Sequence, residues 1–152
     1  MKALLMAMGI LSLASMFGSA ATAEEGLVTL QSVHPVPLTV DRLERALKNQ
    51  GFTIFARIDH GAGAERVAMA LPASELLIFG KPAAGTVLMQ ATPAAGIDLP
   101  LKYLVWADAG GGVTVGWNDP LWLAECHGID LTMPLLEKMR GNLERIASEA
   151  AR

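Results

Sequence analysis

His60, Asp98 and Lys102 are the side chains whose types could jointly handle a small polar ligand. An imidazole near neutral pH donates, accepts or changes charge with little perturbation. A carboxylate can orient it or meet a cation, and an ammonium can meet an anion. His60 opens the turn His60-Gly61-Ala62-Gly63, and Asp98 and Lys102 bracket Asp98-Leu99-Pro100-Leu101-Lys102, a connection beside strands that are almost wholly apolar. Irregular segments on a rigid sheet are where polar groups can be aimed at a ligand. The plainer role for Asp98 is to cap a turn ahead of Pro100. A ligand site at His60, Asp98 and Lys102 therefore requires the fold to bring the two segments to one concavity.

No other spacing spells out a reaction. His34, His60 and His127 are the only imidazoles, and none has the close pairing of a zinc motif. The sequence thus predicts no metal and no cofactor. Gly61-Ala62-Gly63 has the place of a dinucleotide fingerprint between strand and helix, but Arg66 stands where the third glycine belongs. Ser32, Ser74 and Ser148 have no base beside them in sequence, and G-x-S-x-G is absent. Cys126 and His127 are adjacent on an expected helix, so they face about 100° apart, and Cys126 reads as a partly buried small hydrophobe.

The elements that must position these groups follow from hydrophobic period. Residues 27–33 read as a strand, and Thr39 as the N-cap of a helix over residues 40–50 closed by Gly51. Residues 52–59 alternate Phe52, Ile54, Ala56 and Ile58 against Thr53, Phe55, Arg57 and Asp59, the pattern of a half-buried strand. A short helix is expected over residues 64–71. Three central strands follow, over residues 76–79, 86–91 and 101–107, then a glycine loop at residues 108–112 and a hairpin strand over residues 113–118. Asp119-Pro120 starts a short helix. Leu135, Met139, Leu143, Ile146 and Ala150 form one stripe of a final helix over residues 132–150. Of Trp106, Trp117 and Trp122, at least two are expected in the core. The order is α+β: a mainly antiparallel sheet in strand, helix, strands, helix sequence, with the long C-terminal helix packed on one face.

Lys2, the apolar run of residues 3–17 and the small residues ending Ala21-Thr22-Ala23 read as a secretory signal peptide over residues 1–23. Residues 24–152 are then a single α+β domain, periplasmic or secreted, with no membrane anchor once cleaved. The whole chain carries 12 basic and 15 acidic residues, and loss of Lys2 shifts the formal charge from −3 to 11 − 15 = −4. An acidic chain without a Lys/Arg cluster excludes nucleic acid as a partner. Its single cysteine excludes an intrachain disulfide.

The strings IFARIDH, LLIFGKP, GTVLMQATPAAGIDLPLKYLVW and WNDP together resemble the domain of unknown function family 302 over roughly residues 39–128. The chain departs from that pattern at Lys81, where Asn is commoner in the family. The resemblance implies a small α+β fold, of the TATA-binding-protein-like class, and a homodimer; it implies no established activity. Two functions stay open. One is an exported, non-enzymatic accessory protein that binds a small molecule or a partner; the other is an enzyme of small substrates with His60, Asp98 and Lys102 at its site.

Overall fold

Leu77 and Phe79, Tyr103 and Val105, and Val115 and Trp117 alternate along three neighbouring strands, and all are buried on the same side. The computed structural model describes residues 22–24 and 26–152. Its sheet contains β1 (Thr22–Glu24), β2 (Leu27–Ser32), β3 (Thr53–Asp59), β4 (Ser74–Gly80), β5 (Leu101–Ala107) and β6 (Val113–Asn118). The spatial order is β1-β2-β6-β5-β4-β3, every neighbouring pair antiparallel. Five α-helices accompany it among the described residues, α1 (Val36–Asn49), α2 (His60–Glu65), α3 (Pro82–Ala91), α4 (Pro120–Cys126) and α5 (Pro134–Ala151), with a 3-10 turn at Pro93–Ile97. The expected α+β architecture is the one observed.

α1 and α5 pack together over one face of the sheet. Val40, Leu43 and Leu47 of α1 and Leu143, Ile146 and Ala150 of α5 meet the strand side chains in a single core. Full burial of each Leu or Ile there contributes about 1.5–3 kcal/mol. Tyr103 is fully buried at the centre, and its hydroxyl donates to the Leu143 carbonyl at 2.7 Å. A smaller core joins Leu88 of α3, Ala124 of α4, and Leu136 and Met139 of α5. The opposite sheet face carries Leu76, Ile78, Leu104 and Trp106, each half-buried.

Several local expectations are corrected. Residues 86–91 are not a return strand: they lie in α3, and β4 pairs directly with β5, Phe79 opposite Leu101 and Ser74 opposite Trp106. Thr86 and Val87 suit a strand, but Pro82 occupies the first helical position, where its fixed φ favours helix, and the segment is otherwise rich in Ala, Leu, Met and Gln. α1 begins at Val36 rather than residue 40, since Pro37 is tolerated in a first turn. Thr39 is therefore inside the helix, its hydroxyl reaching the Pro35 carbonyl at 3.1 Å and the Ser32 hydroxyl at 2.8 Å. Helix α2 starts at His60, because the Asp59 carboxylate accepts from the Ala62 amide at 2.8 Å and caps it there, and it ends at Glu65. The expected signal segment lies outside the described residues except for Thr22 and Ala23, which belong to β1.

Gly26 turns the chain from β1 to β2 with φ +88°, and a Cβ there would stand 2.2 Å from the Trp122 ring. Only glycine satisfies both demands. Trp122 is thus a half-buried cover for this turn, Trp106 lies half-buried on the open sheet face, and of the three only Trp117 is a core residue.

Candidate functional site

The sheet register separates His60 from Asp98. Asp59 pairs with Glu75, which pairs with Val105, so His60 leaves the sheet at that end. Asp98 precedes Leu101, which pairs with Phe79 at the other end. His60 is exposed and lines neither the groove beside Asp98 nor the larger cavity between α3 and α5. The three predicted ligand residues do not form one site.

Asp98 and Lys102 do stay together, beside a shallow groove of about 200 Å³ that also touches Leu27, Leu76, Leu104 and Asn118. Both are already engaged within the protein, where the sequence predicts them to face a ligand. Lys102 Nζ donates to the Asp98 backbone carbonyl at 2.9 Å, while the Asp98 carboxylate meets His127 Nε2 at 2.6 Å. His127 lies just after α4, with its side chain 12% exposed. Cys126 is exposed, not partly buried as expected, because the last turn of α4 directs it to solvent while His127 turns inward to Asp98.

The larger concavity was not foreseen. It measures about 510 Å³, within the range of about 300–1,000 Å³ typical of small-molecule sites. Its floor comes from Phe52, Gly80 and Leu101 at the β4–β5 end of the sheet. One wall is the first turns of α3, from Pro82 to Val87, and the facing wall is Leu135, Met139 and Leu143 of α5. Leu99 and Pro100, joined by a cis peptide bond, close the side. The lining is apolar apart from Lys81, Thr86, Lys138 and Asn142. Lys81 Nζ sits 4.4 Å from the centre of the Phe52 ring, a cation–π distance.

Each wall has a structural reason to exist. Gly80-Lys81-Pro82 ends β4 and starts α3 in one step, so α3 departs from the end of β4. Only Leu88 of α3 is buried, which leaves its N-terminal half to face the space. Resting α5 across the sheet through Leu143 directs its preceding turns toward that same space. Sequence offered one usable signal here: Gly80, Gly85 and Ala83-Ala84 are small residues beside an apolar strand end, as a cavity wall needs.

A third cluster lies farther along the same β3–β4 side of the sheet, toward the other end of the strands. Arg57 joins Glu75 at 2.5 Å and Asp41 at 2.5 Å. The hydrogen bond to Glu75, aided by Asp41, holds the guanidinium proton more tightly than usual, against the opposing effect of burial. Since all three groups are matched, the cluster reads as the tie between α1 and the β3–β4 edge. Among the described residues no group of three or more His, Cys, Asp or Glu is placed to hold a metal ion.

Comparison with known proteins places the fold. The family described as "Domain of unknown function DUF302" matches residues 28–150. The chain belongs to the DUF302 family. A solved DUF302 member, the crystal structure of an uncharacterized conserved protein from Bacillus stearothermophilus, superposes with a TM-score of 0.74 at 17% identity, covering 84% of this chain and 98% of that one. At such identity the likeness concerns the DUF302 fold alone. Proteins named "Fluoride-specific ion channel FluC 1" from Brucella suis and Brucella abortus are each 46% identical over 109 residues, 72% of this chain. The match takes in 43% and 40% of their lengths, so the chain spans about two fifths of these relatives. No helix among the described residues of this DUF302 chain is long and apolar enough to cross a membrane.

Proposed function

We propose that this is an exported, non-enzymatic binding protein whose cavity between α3 and α5 holds a small, mainly apolar molecule. The observation that carries this reading is the cavity itself, about 510 Å³ and lined by apolar side chains with a few polar groups at defined places. The enzyme reading needed His60 within reach of Asp98, and the register between β3, β4 and β5 keeps them at opposite ends. Export rests on the signal-like residues 1–23, with a periplasmic or secreted product. Cleavage after Ala23 removes two of the three residues of β1 and leaves the five strands that enclose the core. The proposal includes a homodimer, in which the half-buried apolar residues Leu76, Ile78, Leu104 and Trp106 of the open sheet face would be covered by a second copy through two-fold symmetry.

Native mass spectrometry of the protein purified from exporting cells without denaturation tests the binding role. A bound small molecule released on unfolding is expected. A population of bare chain alone, in cells and in extracts, contradicts it.

A second reading is favoured by the Brucella relatives. Their names assign them fluoride conduction, and more than half of each lies outside the match. The segment shared with this chain then acts as an accessory domain beside a membrane channel, and this protein acts on such a channel through the same domain. Fluoride efflux from vesicles bearing such a channel should change when the protein is added; identical rates with and without it exclude this reading.

A further inference from the structure

We propose that the cavity selects an aliphatic carboxylate, with its chain among the apolar walls and its carboxylate at the mouth between Lys81 and Lys138. This rests on the reading that the cavity is a small-molecule site. Four lysines fall among the described residues, and their partners separate them into two pairs. Lys48 is bound to Glu44, and Lys102 donates to the Asp98 carbonyl. Lys81 and Lys138 meet neither a carboxylate nor a carbonyl, Lys81 having only the Phe52 ring, and both line the cavity.

The charge of the lining sharpens the choice. Among the described residues no Asp or Glu borders the cavity, although acids outnumber bases in the chain by 15 to 12. Two unpaired ammonium groups on an otherwise apolar wall create a local positive field in an acidic protein, which favours an anion over a cation or a neutral molecule. Asn142 and Thr86 add neutral polar side chains that can hydrogen-bond a carboxylate oxygen. The rest of the contact surface, from Phe52, Val87, Leu99, Leu101, Leu135 and Met139, is suited only to hydrocarbon. Lysine acts here as a point charge and sets no fixed planar geometry, so chain length rather than head-group shape is the main determinant of affinity.

Isothermal titration of the full chain with hexanoate, octanoate, decanoate and decanol tests this. One saturable site is expected, tightening about fourfold per added methylene until the cavity is full. Decanoate should bind about tenfold more tightly than decanol, and a Lys81→Gln/Lys138→Gln variant should lose that preference while binding decanol as before. Both lysines are exposed, so the variant should keep its fold, checked by an unchanged Tm. Equal affinity for decanol and decanoate overturns the selectivity and leaves the cavity reading in place. Absence of binding by every member of the series overturns both.

Discussion

His127 Nε2 stands 2.6 Å from Asp98 Oδ2, joining the end of α4 to the connection that enters β5. The Lys102 ammonium fastens the same connection by its bond to the Asp98 carbonyl. Residues 98–102 are therefore held from both sides, and Leu99 and Pro100, the side wall of the cavity, are held with them. His127→Ala should cost about 1–2 kcal/mol, since a charge-assisted bond is lost and Asp98 is left partly covered without its partner. Chemical denaturation at neutral pH measures it. An unchanged midpoint would show the contact to be incidental.

Removing the Arg57 side chain leaves Glu75, 7% exposed, without its cation. Arg57→Met should destabilise by about 2–3 kcal/mol, less than for a fully buried pair because Arg57 is about one third exposed. Adding Glu75→Leu should restore much of that loss, since the uncompensated carboxylate is then gone. A double-mutant cycle in urea reads the coupling, and additive losses would count against it.

Tyr103 is the chain's single tyrosine, so its ionisation can be followed by tyrosinate absorbance without ambiguity. Burial pushes its pKa well above the usual value. The folded chain thus holds the phenol proton more tightly than the unfolded chain. Stability from this group is complete below about pH 10 and declines as pH rises through the higher folded value. Tyrosinate should appear only together with alkaline unfolding, and Tyr103→Phe should flatten the decline while costing about 1 kcal/mol for the bond to the Leu143 carbonyl. Tyrosinate formed at pH 10 in a folded chain would contradict the burial.

Export predicts a mature chain beginning at Glu24, observable as the intact mass of the protein recovered outside the cytoplasm. Recovery of a form that retains Met1 in that fraction would remove the signal reading.

Strongly periodic elements were legible from sequence because burial dictates them. The stripe of Leu143, Ile146 and Ala150 gave α5, and the unbroken run from Leu76 to Phe79 gave β4. Residues 86–91 misled because Thr86, Val87 and Leu88 satisfy a short strand and a short helix equally, and only Pro82 at the helix start breaks the tie. The site was less legible. Asp98 stood out as polar beside apolar strands, but its imidazole partner is His127 and not His60, a choice fixed by where α4 ends relative to β5. Lys81 and Lys138 look like ordinary surface lysines until α3 and α5 are placed on either side of one space.

Whether the space between α3 and α5 is the binding site is decided by a heteronuclear NMR titration with decanol in the full chain and in Gly85→Phe. Gly85 lines the cavity, and a Cβ there would make only ordinary contact, 3.8 Å from Leu99, so the larger side chain can fill the space without forcing the fold. Binding in the cavity should concentrate shifts on the amides of Gly80, Ala84, Leu99 and Met139, and these should be lost in the variant at unchanged Tm. Shifts centred instead on Ile78, Leu104 and Trp106, or unaltered by Gly85→Phe, would contradict it.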